Sequence, residues 1–209
     1  MLGYQNKVLR INLTHQTILK EPLRMDWARK YIGSKGLAIK YLYEELQPGI
    51  DPLSEENKLL FMTTPLTGTN IPCSGKLSIA GKSPATRTIC DCSIGGHIGL
   101  KIKYAGYDAI ILEGKMDKPS YIVIENDHVV LLDATEYWGK GAHTVESLLT
   151  EHYGYDYSYL TIGPAGETQC GMACINSDYY RQAGRGGMGA VMGSKNIKAI
   201  AVKGTTSVK

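Results

Sequence analysis

Between Asp178 and Asn196 (DYYRQAGRGGMGAVMGSKN) the chain gathers two arginines, Arg181 and Arg185, and five glycines, Gly184, Gly186, Gly187, Gly189 and Gly193. Glycine lets backbone N–H groups come close to a ligand and takes up positive φ at little cost. Arginine adds a permanently charged fork of donors that matches phosphate. A helix begun at Gly187 would turn its free N–H groups and positive dipole end toward whatever sits on the loop. The stretch therefore reads as an anion cradle for the phosphate groups of a sizeable cofactor. The same residues also read as a glycine-rich turn with solvated arginines.

Other chemistry is excluded or weakly marked. Gly184, Gly186 and Gly189 satisfy G-x-G-x-x-G, but a dinucleotide site needs an acidic residue roughly 20 positions later. Here Asp178 is the last acid of the chain. A P-loop sequence is absent. His15, His97, His128, His143 and His152 are scattered, with no H-x-x-x-H pair, and no nucleophile motif stands out. No residue is assigned a catalytic role. His97, just after Gly95–Gly96, reads as a hydrogen-bonded structural residue, because a positive helix end disfavours imidazolium. Asp108 and Glu113 flank a strand and read as its solvated ends. What the residues offer is binding, with the chemistry left to a cofactor.

The body around this stretch is ordinary globular material of 209 residues, 43% hydrophobic and 21% charged. Residues 179–209 hold six Lys or Arg and no acid, while the net charge of the whole is only +3. A basic segment on a mildly acidic body suits an anionic ligand and gives no reason to expect nucleic acid. Cys73, Cys90, Cys92, Cys170 and Cys174 have neither zinc nor ferredoxin spacing and are expected as reduced, mostly buried thiols in the cytoplasm. No apolar run suits a signal peptide or a membrane span, so no membrane is expected.

The elements that must hold these residues alternate between strand and helix. Residues 7–21 read as a hairpin, Asp26–Ile32 as a short helix capped by Asp26, and Lys35–Leu46 as an amphipathic helix. Strands follow at 58–64, 76–80, 86–90 and 107–112, with a helix from Gly95–Gly96 to Tyr104. A second hairpin turns at Asn126–Asp127, a helix spans 142–153, and strands fall at 157–162, 172–176 and 197–202. Residues 163–167 (GPAGE) read as a glycine turn.

An internal echo runs through this series. Gly96, Ala109 and Gly114 recur as Gly187, Ala199 and Gly204, at offsets of 91, 90 and 90 residues. Two related α+β units are expected, each presenting a Gly-Gly helix start. Two βα turns alike by chance would give the same marks.

Longer matches point further. LRINLT (9–14), YIGSKGLA (31–38), DPLSEENKLLF (51–61), PLTGT (65–69), KSP (82–84), KYAGYDAIILEGK (103–115), WGKG (138–141), IGPAGE (162–167) and AGRGGMGAVMGSKNIKAIAVKG (183–204) occur in that order. In these stretches the chain resembles the N-terminal domain of the aldehyde ferredoxin oxidoreductase family, tungsten- or molybdenum-dependent enzymes with a bis-pterin cofactor. The resemblance covers essentially the whole chain. It implies an α+β fold of two β-sheets with short helices, built by internal duplication, as a single pterin-binding domain over residues 1–209. It further implies a magnesium ion bridging the pterin phosphates, held by the backbone carbonyls of Ser93 and Gln182. Further pterin contacts then fall on Lys76, Gly95, Arg181 and Gly184. Lys76 stands where an arginine is usual, which turns a two-pronged clamp into a single contact. Ser93 replaces an asparagine and Gln182 an alanine.

The family's helical domains, with their C-x-x-C-x-x-x-C run for a 4Fe–4S cluster, have no counterpart in these residues. The resemblance thus implies partners: those helical domains or a separate subunit carrying the cluster, and ferredoxin as electron acceptor for aldehyde oxidation. By itself the 209-residue chain is expected to be inactive. A stand-alone, non-catalytic module for a pterin or another phosphorylated ligand is the alternative. A structural partner that has lost the site is a third.

Overall fold

The computed structural model describes residues 2–208. Alternating side chains at the start become β1 (Lys7–Asn12) and β2 (Thr17–Pro22), paired antiparallel from Lys7–Pro22 to Asn12–Thr17. Leu9 and Ile11 point to one face of β1, Val8 and Arg10 to the other, as the two-residue period requires. Two helices follow, α1 (Met25–Tyr31) and α2 (Ser34–Glu45). The second buries Leu37, Ala38, Tyr41 and Leu42, the face that helical spacing marks. The first starts one residue before Asp26, which caps nothing: its carboxylate is held by the Arg24 guanidinium at 3.0 Å instead.

The first half continues with β3 (Leu59–Met62), β4 (Leu77–Lys82), β5 (Ile89–Ile94), α3 (Ile98–Tyr104) and β6 (Ala109–Glu113). The strand expected at 86–90 lies later. Ser83 accepts the Ala85 and Thr86 N–H groups through its hydroxyl, and Arg87 turns at φ 62, so the bend lasts until Thr88.

The second half holds β7 (Ser120–Glu125), β8 (His128–Asp133), α4 (Ala142–Tyr153), β9 (Ser158–Thr161), α5 (Pro164–Glu167), β10 (Ile175–Ser177), β11 (Arg181–Ala183), α6 (Met188–Ser194) and β12 (Ile197–Lys203). GPAGE is therefore a short helix rather than a plain turn, with Pro164 in the first-turn position that tolerates its missing N–H. The strand expected at 172–176 is Ile175–Ser177, and β11 sits inside a stretch that reads as loop.

Two six-stranded sheets result, ordered β2-β1-β6-β3-β4-β5 and β8-β7-β12-β9-β10-β11. The orders coincide when each second-half strand replaces its first-half counterpart. The pairs β1·β6 and β7·β12 are parallel and every other pair is antiparallel. This is the expected α+β fold of two duplicated sheets. The sheets face each other across one core, to which the first contributes Leu9, Phe61, Ile79 and Ile110 and the second Ile122, Leu160, Ile200 and Val202. The helix α2 covers the outer face of the first sheet, through Leu37, Tyr41 and Leu42 against Val8, Leu60 and Ile111, and α1 packs against α2, with Trp27 edge-on to Tyr41. Val145 and Leu149 of α4 cover the outer face of the second.

The expected solvated ends of β6 are not solvated. Asp108 is buried against the Lys103 ammonium, because the N-terminal segment closes over it and donates the Gln5 and Asn6 N–H groups. Glu113 is half-buried between Arg10 (3.1 Å) and Lys58 (3.0 Å). Among the described residues no helix is long and apolar enough to cross a membrane.

Candidate cofactor-binding cleft

The strands β5 and β11 end their respective sheets and lie side by side. The seam is stitched by Arg185 N–H to Cys92 Sγ at 3.3 Å and by the Ser83 hydroxyl to Gly186 O at 2.7 Å. Two clefts open along it. One of about 460 Å³ is lined by Lys76, Gly95, Gly96, His97 and Arg181, under the loop that carries Thr69 and Ile71. The other, of about 490 Å³, is lined by Lys35, Asp91, Ser93, Gln182, Gly184 and Arg185. All six residues expected to bind the cofactor thus meet on one seam, three to each cleft, although 105 positions separate Lys76 from Arg181.

Local structure explains the openness. A Cβ at Gly184 would meet nothing within 4 Å, and one at Gly95 only the Lys76 ammonium at 3.9 Å. These glycines leave room for a ligand instead of serving a packing contact. Lys76, Arg181 and Arg185 are exposed and form no ion pair among the described residues, while Lys35 pairs with Asp91 at 3.0 Å. Such a donor set, around two edge strands, fits a polyanion. Among the described residues no three His, Cys, Asp or Glu side chains converge to hold a metal. A cation here would depend on backbone carbonyls and on the ligand's own oxygens.

The helix-end cradle expected at Gly187 is not formed. Gly187 is buried, and a Cβ there would lie 2.2 Å from Gly171 O. The Gly189 N–H donates to Ala173 O at 3.0 Å, and every residue of α6 is buried. The glycines of α6 serve close packing: a Cβ at Gly193 would lie 1.9 Å from Gly166 O of α5. At the equivalent start of α3, the His97 N–H is taken by Asp178 Oδ2 at 2.6 Å. His97 is held through its backbone, and its exposed ring brings Nδ1 within 3.4 Å of the same carboxylate oxygen. Both helix starts are occupied by protein, and the cleft lies beside them on the strands.

Of the cysteines only Cys92 is buried, so the expectation of mostly buried thiols fails: Cys73 and Cys170 lie on exposed turns and Cys90 and Cys174 are partly covered. All five are free. Sequence reasoning missed Lys35, Glu146 and Asn176 as neighbours of the site, and gave Asp178, the first residue of the glycine-rich stretch, no role in it. Lys35 reads as one more charge on an amphipathic helix, and no spacing links the others to the cleft.

Comparison with known proteins gives a family and a fold. Residues 8–204 match the family described as aldehyde ferredoxin oxidoreductase, N-terminal domain. The chain is 46% identical to a tungsten-containing aldehyde ferredoxin oxidoreductase of Pyrococcus horikoshii, across 100% of this chain and 35% of the relative. It is 38% identical to the WOR-like subunit of an aliphatic sulfonate oxidoreductase of Pyrococcus furiosus, across 98% of this chain and 35% of that one. Among solved structures it superimposes on the active-site complex BamBC of benzoyl-coenzyme A reductase with a TM-score of 0.96 and 33% identity, covering 99% of this chain and 32% of the other. The chain thus spans about a third of the length of the relatives it matches.

Proposed function

This chain belongs to the aldehyde ferredoxin oxidoreductase family, matching its N-terminal domain, and from that premise we propose that it is the base on which a tungsten bis-pterin cofactor rests. One observation carries the proposal: unpaired cations and open glycines from both halves line a single seam between two edge strands. Lys76, Gly95 and Arg181 would hold phosphate groups in one cleft, and Ser93, Gln182 and Gly184 in the other. The backbone carbonyls of Ser93 and Gln182 would hold a magnesium ion that neutralises phosphate charge. Bound, the tungsten (or molybdenum) centre supplies two-electron carbonyl oxidation. The chain's own residues neutralise phosphate charge and orient the pterins. A lysine at position 76 makes a point contact where arginine would make two, so Arg181 is the stronger clamp.

The whole protein would oxidise an aldehyde to a carboxylic acid and pass electrons to ferredoxin. The 4Fe–4S cluster and the substrate pocket would belong to the helical domains or to a separate subunit. Relatives named for aldehyde, aliphatic sulfonate and benzoyl-coenzyme A chemistry share this fold, which supports substrate choice outside it. Five free cysteines support a reducing, cytoplasmic setting.

Elemental mass spectrometry together with fluorescence of the oxidised pterin tests the reading. Tungsten or molybdenum with roughly two pterins per metal is expected in the purified protein, and Arg181→Ala is expected to lower both. A phosphate ligand without pterin or metal would favour the non-catalytic module, which the same unpaired cations would serve.

A further inference from the structure

The strand that carries Arg181 and Gln182 hangs from a tight hairpin. Its turn residues Asp178 and Tyr179 both adopt positive φ, 47° and 58°. Behind the turn lies a cavity of about 320 Å³ lined by Tyr155, Tyr157 and Tyr159 together with His97, Lys101, Glu146 and Ser158. Ile175 and Ala183 anchor the open end of the hairpin in the core, and polar contacts hold its turn. Asp178 Oδ2 accepts the His97 N–H at 2.6 Å, from the loop of the first half that carries Gly95 and Gly96. Asp178 Oδ1 accepts the Ser158 hydroxyl at 2.8 Å, at the start of β9. On the far side, Glu146 of α4 accepts the Tyr179 N–H at 3.1 Å and Asn176 Nδ2 at 2.9 Å. Asn176 Oδ1 in turn accepts from the Gln182 side-chain amide.

The first-half loop is shaped around this carboxylate. Gly96 has φ +96, and a Cβ there would lie 2.1 Å from Asp178 Oδ2 and 3.4 Å from the Arg181 side chain. One carboxylate thus joins three segments, two of which line the same cleft from opposite halves of the molecule.

We propose that Asp178 is a positioning residue for cofactor binding, a latch that sets the gap across which Arg181 faces Gly95 and Lys76. This rests on the reading of the cleft as a phosphate site. It assigns an acidic residue a supporting role beside an anion site, where charge alone would make it unfavourable. The two effects have opposite signs, which makes the latch testable. If Asp178 mattered only through its charge, removing it would tighten anion binding. Loss of the latch instead loosens Arg181 and weakens binding.

The test is titration calorimetry of the full chain with inorganic pyrophosphate, a probe with two linked phosphates. Asp178→Ala is expected to weaken binding about tenfold, the scale of one lost charge-assisted contact, with little change in melting temperature. Asp178→Asn is expected to bind as tightly as wild type or more tightly: its amide oxygen can accept the His97 N–H, its amide can donate to Ser158, and the negative charge is gone. Rescue by the neutral variant separates positioning from charge. Ser158→Ala, which loosens only Oδ1, is expected to weaken binding about threefold, and it carries the test should Asp178→Ala not fold. Arg181→Ala is the control for the underlying reading. If Arg181→Ala weakens binding while Asp178→Ala and Ser158→Ala leave it equal or tighter, the latch is overturned and the cleft stands. If Arg181→Ala has no effect, the phosphate reading falls and the latch with it.

Discussion

The two halves share a strand order and solve the same problem with opposite charges. Counting from Ala109 to Ala199, Asp108 at the start of β6 corresponds to Lys198 in β12. Asp108 is buried against the Lys103 ammonium, which also donates to Gly3 O at 2.7 Å. Lys198 is buried against Glu167 and donates to Lys140 O at 2.7 Å. Each carboxylate also accepts backbone N–H groups, Asp108 from Gln5 and Asn6, Glu167 from Gly139. The position asks for a satisfied ion pair that ties a distant segment to the strand start, and either sign will serve. The partner comes from wherever space allows. The first half draws it from α3. In the second half the residue equivalent to Lys103 is Gly193, where α5 packs too closely for a side chain, and α5 itself supplies Glu167.

The equivalence can be broken by unpairing each site in turn. Asp108→Ala and Glu167→Ala each leave a lysine buried without its partner, and each is expected to cost roughly 3–5 kcal/mol in urea unfolding. A large loss in one half with less than about 1 kcal/mol in the other would show that the two sites are only geometrically alike.

A smaller effect marks a feature without a counterpart. Lys195 is fully buried and donates to the carbonyls of Glu55, Asn57 and Gly114, joining the halves, whereas its equivalent in the first half is Ala105. Lys195→Met leaves those carbonyls unpaired and is expected to cost about 2 kcal/mol. Burial also pulls the Lys195 ammonium down to about 7. Between that value and the ordinary lysine range the unfolded chain binds more protons than the folded one, so this group makes stability rise with pH across that window. Lys195→Met should flatten that rise in melts run from pH 7 to 10.

The smallest effect separates the two outer helices. In α2, the exposed Lys35 side chain reaches a largely covered Asp91 of β5 at 3.0 Å, and with one partner in solvent the pair contributes little. In α4, Glu146 is buried beneath the β10–β11 hairpin, and burial, with Asp178 nearby, pushes its carboxyl up to about 7. The folded chain holds that proton more tightly than the unfolded one, so stability falls as pH rises from about 4.5 to 7. Glu146→Gln is expected to gain on the order of 1 kcal/mol over wild type at pH 8. Lys35→Ala should leave the profile unchanged. A flat wild-type profile through this range would remove the distinction.

Much of the frame was legible because it is written locally. The period of KVLRIN marks a strand, though both its faces are covered, and the helical spacing of Leu37, Ala38, Tyr41 and Leu42 names the buried face of α2. The Gly96–Gly187 and Ala109–Ala199 echo announces the duplication. The glycine-rich stretch was misread in part. Gly184 opens onto the cleft, whereas Gly187, Gly189 and Gly193 face backbone oxygens of segments that the stretch itself does not contain. β11 escaped notice because Arg-Gln-Ala has no apolar alternation, and only pairing with β10 makes it a strand.

By itself, then, the sequence determined the elements, their repeat and the supply of cations and glycines, since these follow from side-chain type and spacing within a few residues. Tertiary structure alone decided which of them meet. Lys76 and Arg181 share a cleft only because two sheet edges run together. Asp178 reaches His97 across 81 positions of chain, and that closure depends on how two sheets pack across one core, which no short window of residues encodes.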